Sequence, residues 1–237
     1  MKKSIAMTVL LLAAQPALNA AEPDPSAEYG LRVKPVMFLR LGETPTSEKD
    51  CFKDATGNAS GGTASADKEL PKQADGGADW MGKGLEFVNG GASVFVPSTT
   101  ATAKLGDTSA TTGLSVSFWI KKKRELNDGS GRVLNFQDVL EIVNDKMAAA
   151  FLGFNVCGAP IVNYKANSVK VMDGAWHQIG VTADFKKEND NLSLYIDGRR
   201  ANTSTVVFKS AKQGKNSGLV IGGRRSHTAD LTGALDE

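Results

Sequence analysis

Asp173 to Arg200 reads DGAWHQIGVTADFKKENDNLSLYIDGRR, and this stretch decides the fold class. In its first half Ile179 and Val181 alternate with Gln178 and Thr182. In its second half Leu192, Leu194 and Ile196 alternate with Ser193, Tyr195 and Asp197. A period of two places successive side chains on opposite faces of a half-buried strand. Between the halves, Lys186 to Asn191 (KKENDN) holds no apolar residue and predicts an exposed connection. Asp197-Gly198 predicts a tight turn, because Gly adopts positive φ freely and Asp tolerates it better than most residues. The stretch is a meander segment of an antiparallel sheet.

The same signals recur outward from it. Leu114, Val116, Phe118 and Ile120 alternate with Ser115, Ser117, Trp119 and Lys121, and residues 127–131 (NDGSG) form a turn. Short strands are predicted at residues 133–136, 139–143, 147–154, 161–164, 205–208 and 218–221, with Asn144-Asp145 turning one pair. Upstream, residues 84–88 and 92–96 flank Asn89-Gly90-Gly91, again turn chemistry. Pro97 to Thr112 reads as a surface connection, and Leu31 to Leu41 as a first strand that Pro35 pushes to a sheet edge or bulge. Gly42 to Gly77 is polar throughout, and too few apolar residues are present to offset the entropy of ordering it without a crosslink or a bound ion. No segment sustains a helical period for three turns. The expectation is an all-β chain whose short strands form a two-sheet antiparallel sandwich of the jelly-roll kind.

The first residues predict export. Met1-Lys2-Lys3 is a basic start, Ile5 to Ala14 an apolar core, and Pro16 to Ala21 ends in small residues suited to cleavage. That run is too short to span a bilayer, which takes about twenty residues. Residues 1–20 are therefore expected to be a signal peptide, 21–30 an exposed leader and 31–237 a β-sandwich domain, secreted, periplasmic or on the cell surface. The chain's 28 Lys and Arg, less Lys2 and Lys3, equal its 26 Asp and Glu. A nucleic-acid binder gathers a basic excess on one face. The one dense basic run, Lys121 to Arg124, reads as a solvated strand end, so no nucleic-acid partner is expected. Cys51 and Cys157 would share an oxidising compartment, where one bridge or two free thiols are the alternatives. A bridge would close about 106 residues and, on chain entropy, contribute roughly 4–5 kcal/mol.

With these strands in order, the chain resembles the laminin G-like, concanavalin A-like lectin/glucanase sandwiches. Residues 82–97 (GKGLEFVNGGASVFVP) and Leu114 to Ile120 (LSVSFWI) are similar to two successive family strands. Asp173-Gly174-x-Trp176-His177 through Leu194-Tyr195-Ile196-Asp197-Gly198 resembles the family's best-known hairpin. Phe38 to Glu43, followed by Asp54-Ala55-Thr56-Gly57-Asn58, looks like the N-terminal strand and its D-x-x-G-N loop. Gly233 to Glu237 (GALDE) looks like the G-x-x-D-E closing motif, after which relatives add a final strand that is missing here. The resemblance implies a carbohydrate or surface-protein ligand. It also implies a structural calcium ion held by Asp54, Asn58 and Asp236, with backbone carbonyls completing the six to eight oxygens a calcium takes.

Little else in the sequence points to chemistry. Aromatic and planar polar residues suited to sugar are available as Trp80, Tyr164 and Tyr195 with Asn163, Arg199, Arg224 and Arg225, in no specific spacing; Trp119 and Trp176 read as core or sheet-surface packing. Glycoside hydrolysis needs two carboxylates. The nearest pattern, Glu141-Ile142-Val143-Asn144-Asp145, has Val143 at the second acidic position and no closing Glu. His177 and His227 stand apart from Cys and from each other, which argues against zinc. No G-x-S-x-G elbow is present to activate a serine. The expectation is a non-catalytic binding or adhesion module. A purely structural module of a larger surface protein, or an unrecognised polysaccharide hydrolase, are the alternatives.

Overall fold

The computed structural model describes residues 37, 39, 41, 43–48, 51–59, 61–66, 69–76, 83–87, 92–123, 131–144, 152–159, 162–163, 171–211, 218–223, 231 and 233–236. Signal peptide, leader and most of the predicted first strand lie outside them. So do Trp80, Tyr164, Arg224, Arg225, His227 and Asn144-Asp145 as a turn.

The described strands are β1 (Thr63–Ala66), β2 (Lys72–Asp75), β3 (Lys83–Phe87), β4 (Ala92–Pro97), β5 (Gly113–Lys123), β6 (Arg132–Phe136) and β7 (Leu140–Asn144). They continue with β8 (Leu152–Val156), β9 (Val162–Asn163), β10 (Asp173–Asp184), β11 (Leu192–Ile196), β12 (Arg199–Ser204), β13 (Gly218–Ile221) and β14 (Gly233–Asp236). They form two antiparallel sheets, ordered β1-β4-β13-β6-β7-β8-β9 and β12-β11-β10-β5-β14-β3-β2. The predicted sandwich is thus observed. The last two strands are interior: β13 lies between β4 and β6, and β14 between β3 and β5.

Alternation fixes which face of each strand is inside. Leu114, Val116, Phe118 and Ile120 of β5 and Ile179, Val181 and Ala183 of β10 are buried, while Ser115, Ser117, Trp119, Gln178, Gly180 and Thr182 look outward. They meet Val94, Val96, Phe136, Ile142, Phe154, Leu219 and Ile221 of the first sheet in one core. Each such side chain fully removed from water contributes roughly 1.5–3 kcal/mol. The Asp197-Gly198 turn is as predicted, with φ of 50° and 73°, the left-handed pair that matches the twist of a hairpin.

Several expectations need correction. The polar region 42–77 supplies β1 and β2, one edge strand for each sheet, and Phe52 within it is fully buried. It is ordered by pairing with β4 and β3, where apolar content alone gave no reason for order. The predicted strand at 205–208 is irregular, and its place beside β11 is taken by the polar β12. Asn191 ends the "exposed" connection but is buried: its amide nitrogen donates to the Lys187 and Val206 carbonyls, and its oxygen accepts from the Val206 N–H. Lys121 is exposed, but Lys122 is 2 % exposed, so the basic run is not wholly a solvated end. Strand alternation turns Lys122 to the same side as Ile120. Finally, Cys51 and Cys157 are both free thiols. Cys51 Sγ lies against the Thr46 and Gly62 carbonyls, and Cys157 Sγ against that of Gly106, so no bridge links them.

Candidate functional site

The outer face of the first sheet carries a feature that only strand register reveals. Pairing lines up Thr63, Phe95, Val220, Asn135, Glu141 and Asn155 in one row across β1, β4, β13, β6, β7 and β8. These residues point away from the core, and such a face is ordinarily solvated. Here it is partly walled: Ser93, Val143 and Val220 are 2, 7 and 4 % exposed, yet none belongs to the core cluster. Neighbouring side chains therefore cover part of this face, and the strip along the row is the candidate groove.

Polar groups converge on that strip. A bulge between Arg132 and Leu134 sets Arg132 opposite Val143, from where its guanidinium Nε donates to Glu141 Oε1 on the neighbouring strand. The two side chains are 13 and 23 % exposed, a half-buried pair whose charges compensate each other. Asn135 and Asn155 flank Glu141 on β6 and β8, half-buried, and their side-chain amides take no hydrogen-bond partner among the described residues. A planar amide left without a partner in a half-dry site costs free energy that a ligand's hydroxyl could recover. Phe95, next to the edge residue Thr63 in the row, adds an aromatic surface, its ring packed over Gly218. An amide, an ion pair, a second amide and a ring are groups suited to a polyhydroxylated ligand. On the described part of this face Glu141 is the one acidic side chain, and Arg132 holds it.

The residues expected from sequence lie elsewhere. Tyr195 and Arg199 sit on β11 and β12 of the second sheet, and Asn163 ends β9. Trp119 and Trp176 are half-exposed on the second sheet's outer face, as sheet-surface residues. Asp54 forms an isolated bridge with Leu39, next to the loop it organises. Its Oδ1 accepts the Thr56 N–H at 3.2 Å, and its Oδ2 accepts the Thr56 hydroxyl at 2.6 Å and the Ala59 N–H at 2.8 Å. The Asn58 carbonyl accepts from the Thr99 hydroxyl, which ties this loop to the segment after β4. Protein donors thus already close the D-x-x-G-N loop, and a cation there would have to share or displace the Thr56 hydroxyl. Asp236 lies opposite Trp119 in β14. No three His, Cys, Asp or Glu side chains among the described residues gather as metal ligands.

His177 is structural in a specific way. Its Nδ1 lies 2.9 Å from Asp197 Oδ2 and its Nε2 3.2 Å from Asp173 Oδ1, so both ring nitrogens must carry protons to satisfy both carboxylates. Burial works to lower its pKa, but the hydrogen bonds to Asp197 and Asp173 outweigh it and raise the value. A separate shallow cleft, open to solvent, lies between Phe154 and the Val181, Leu192, Leu194, Asn202 and Ser204 side of the second sheet. It is almost wholly apolar, and Asn202 Oδ1 is taken by the Thr203 N–H, so it offers a ligand little to orient on.

A family model described as the concanavalin A-like lectin/glucanases superfamily matches residues 97–237, from the last residue of β4 to the chain's end. A search of curated proteins finds no match. Among solved structures, domain 4 of AbnA, a GH43 extracellular arabinanase from Geobacillus stearothermophilus determined with arabinotriose, is 19 % identical at a TM-score of 0.50, over 77 % of this chain and 82 % of that one. The binding domain of Paraclostridial Mosquitocidal Protein 1 is 18 % identical at a TM-score of 0.56, over 84 % of this chain and 47 % of that one. A Trypanosoma rangeli sialidase, determined as a covalent intermediate with a difluorosialic acid, is 15 % identical at a TM-score of 0.53, over 85 % of this chain but 30 % of its own length. At these identities the likeness is one of fold. No helix among the described residues is long and apolar enough to cross a membrane.

Proposed function

Because the chain belongs to the concanavalin A-like lectin/glucanases superfamily, we propose that it is an exported, non-catalytic carbohydrate-binding module whose ligand lies in the groove over the first sheet. The observation that carries this is the pair of amides, Asn135 and Asn155, without a side-chain partner among the described residues and placed on either side of Glu141, which Arg132 pairs. Amides offer a donor and an acceptor side by side, the arrangement that two adjacent sugar hydroxyls complement. Phe95 would supply the apolar contact. The arabinanase domain determined with arabinotriose and the binding domain of the mosquitocidal protein give the same direction by analogy of fold only.

A hydrolase would need a second carboxylate in reach of the scissile bond. Glu141 has none beside it among the described residues of the groove, and the Arg132 guanidinium already engages its carboxylate. The test is a glycan array followed by reducing-sugar release from whichever polysaccharide binds. Binding without release supports the module; release supports the hydrolase; no glycan bound at all leaves a surface protein as the ligand and overturns the carbohydrate reading.

Calcium belongs to this proposal as a structural ion, with Asp54, Asn58 and Asp236 as its donors and backbone carbonyls to complete the shell. An ion there would stiffen the loop that leads into β1 and would do no chemistry on the ligand. Added calcium should raise the melting temperature of wild type and not of Asp54→Ala. Equal melting temperatures with calcium and with chelator would remove the ion from the account. Export follows from the basic and apolar N-terminal residues and is tested by N-terminal sequencing of protein recovered from outside the cytoplasm.

A further inference from the structure

An edge strand leaves backbone N–H and C=O groups open to pairing with a strand of another chain. Among the described strands the edges are β1 and β9 in the first sheet and β12 and β2 in the second. β9 has two residues, and β1 and β2 have four each, too few for an extended ladder. β12 is the longest of the four at six residues, and it contains no proline to blunt it.

Register settles which backbone groups of β12 face out. Between β10 and β11 the Asp184 N–H donates to the Asn191 carbonyl, and the Asp197 N–H to the Gln178 carbonyl. Hydrogen-bonded pairs in an antiparallel ladder recur at every second residue. Ser193 and Tyr195, opposite Thr182 and Gly180, therefore also turn their N–H and C=O towards β10. Their partners on the other side, Thr203 and Arg200, form non-hydrogen-bonded pairs with β11 and turn their own N–H and C=O to the outer edge. The Ser193 and Thr203 hydroxyl oxygens lie 3.4 Å apart, the close approach that such a pair gives.

That edge is closed in two ways. The Thr203 N–H donates to Asn202 Oδ1 at 2.7 Å, so a side chain of the same strand occupies the donor that an incoming strand would need. Such local bonds ordinarily serve turns and helix caps, and inside a strand this one serves neither. Pairing also skips Ala201, since Asn202 lies opposite Leu194 and Arg200 opposite Tyr195. The bulge sets the outward groups of Arg200 and Thr203 three residues apart, where a regular strand presents them at every second residue. A straight partner strand can match one of them but not both.

We propose that the Asn202 amide is a guard on the β12 edge, which keeps this strand from pairing with β12 of a second copy of the chain. A second copy is the partner excluded because an antiparallel β12–β12 pair is two-fold symmetric, so one side chain shields both halves of the contact. Unguarded, that pair would join two copies of the second sheet into one continuous sheet. The guard is independent of the carbohydrate reading, since Asn135 and Asn155 belong to the other sheet.

The test is sedimentation velocity over a concentration series for wild type, Asn202→Ala, Asn202→Asp and Asn202→Ala/Thr203→Pro, with near-ultraviolet circular dichroism to check each fold. Asp keeps an oxygen to accept the Thr203 N–H, and Pro removes that outward N–H without taking a bond from the β11 ladder. Each dimer of Asn202→Ala frees two donors, so it should form roughly tenfold or more tightly than a wild-type dimer. Asn202→Asp and the double variant should sediment as wild type does. Asn202→Ala that associates no more than wild type would overturn the guard. A double variant that associates as Asn202→Ala does would place the contact in the cleft that Asn202 lines, and would overturn it too. Amide exchange of wild type gives a check that needs no substitution. Relative to its intrinsic rate, the Thr203 amide should exchange about tenfold more slowly than the Arg200 amide, and equal protection would overturn the cap.

Discussion

His177 joins two elements through a charge that pH can remove. Asp197 uses one oxygen for His177 and the other for the Gln178 N–H, while Asp173 Oδ1 accepts from both His177 and the Ala175 N–H. The imidazole thus pins the start of β10 to the turn that follows β11. Its pKa is raised above the ordinary 6.5, so the stabilisation is fully present below about pH 6.5 and is lost as pH rises through the raised value. Asp173 is held below its ordinary value, first by the Ala175 N–H and then, against burial, by His177; its contribution is present above the ordinary carboxylate range and is lost on acidification. Urea unfolding should therefore show wild type gaining on His177→Gln by roughly 1–2 kcal/mol near pH 6 and losing most of that margin by pH 9. A margin that stays constant with pH would mean that the imidazole is neutral and the geometry misread. The Asp-Gly turn and the alternation around it were legible in the sequence because they depend on neighbours. The clamp was not, since it joins residues 173, 177 and 197 across a hairpin.

At the scale of elements, what was legible follows from how much each strand buries. β5, β10, β11 and β13 each set an apolar face into the core, so their residues alternate or run apolar and were found nearly at their observed bounds. β12 reads RRANTS, with no apolar residue but Ala201, because an edge strand needs to satisfy only one neighbour. Nothing in its own composition distinguishes it from a loop. β1 and β2 are hidden in the same way. The segment after β12 is instead ordered by one buried side chain, Asn191, which holds Val206 at both its N–H and its carbonyl. Phe208 then packs edge-on against Phe185, with ring centroids 5.0 Å apart. Asn191→Ala would leave the Val206 groups unsatisfied and should cost about 1–3 kcal/mol. Amide hydrogen exchange should accelerate across residues 205–211 well before β10 and β11 respond. Uniform acceleration would show that Asn191 supports the whole sheet rather than this one segment.

For the whole molecule, the two thiols and the outer face of the first sheet are the features that composition could not place. Cys157 is buried beside Gly106 and Val139, and burial pushes its thiol up to about 12, which leaves it protonated and slow to react. Thiol titration of unreduced, denatured protein should therefore find both cysteines free, and in the native protein Cys157 should react far more slowly than Cys51. One or no thiol in the denatured sample would restore the bridge. The groove escaped sequence reading for a geometric reason. Asn135, Glu141 and Asn155 come from three successive strands, and their alignment depends on the pairing of β6, β7 and β8 to the residue. A slip of one residue would turn all three into the core. The most direct test of the central claim is calorimetric titration of Asn135→Ala/Asn155→Ala against wild type, using the oligosaccharide that a glycan array selects. At least a tenfold loss of affinity at unchanged melting temperature is the predicted result, because the amides take no partner among the described residues and are placed to serve binding. Equal affinity in the two proteins would contradict the groove as the carbohydrate site.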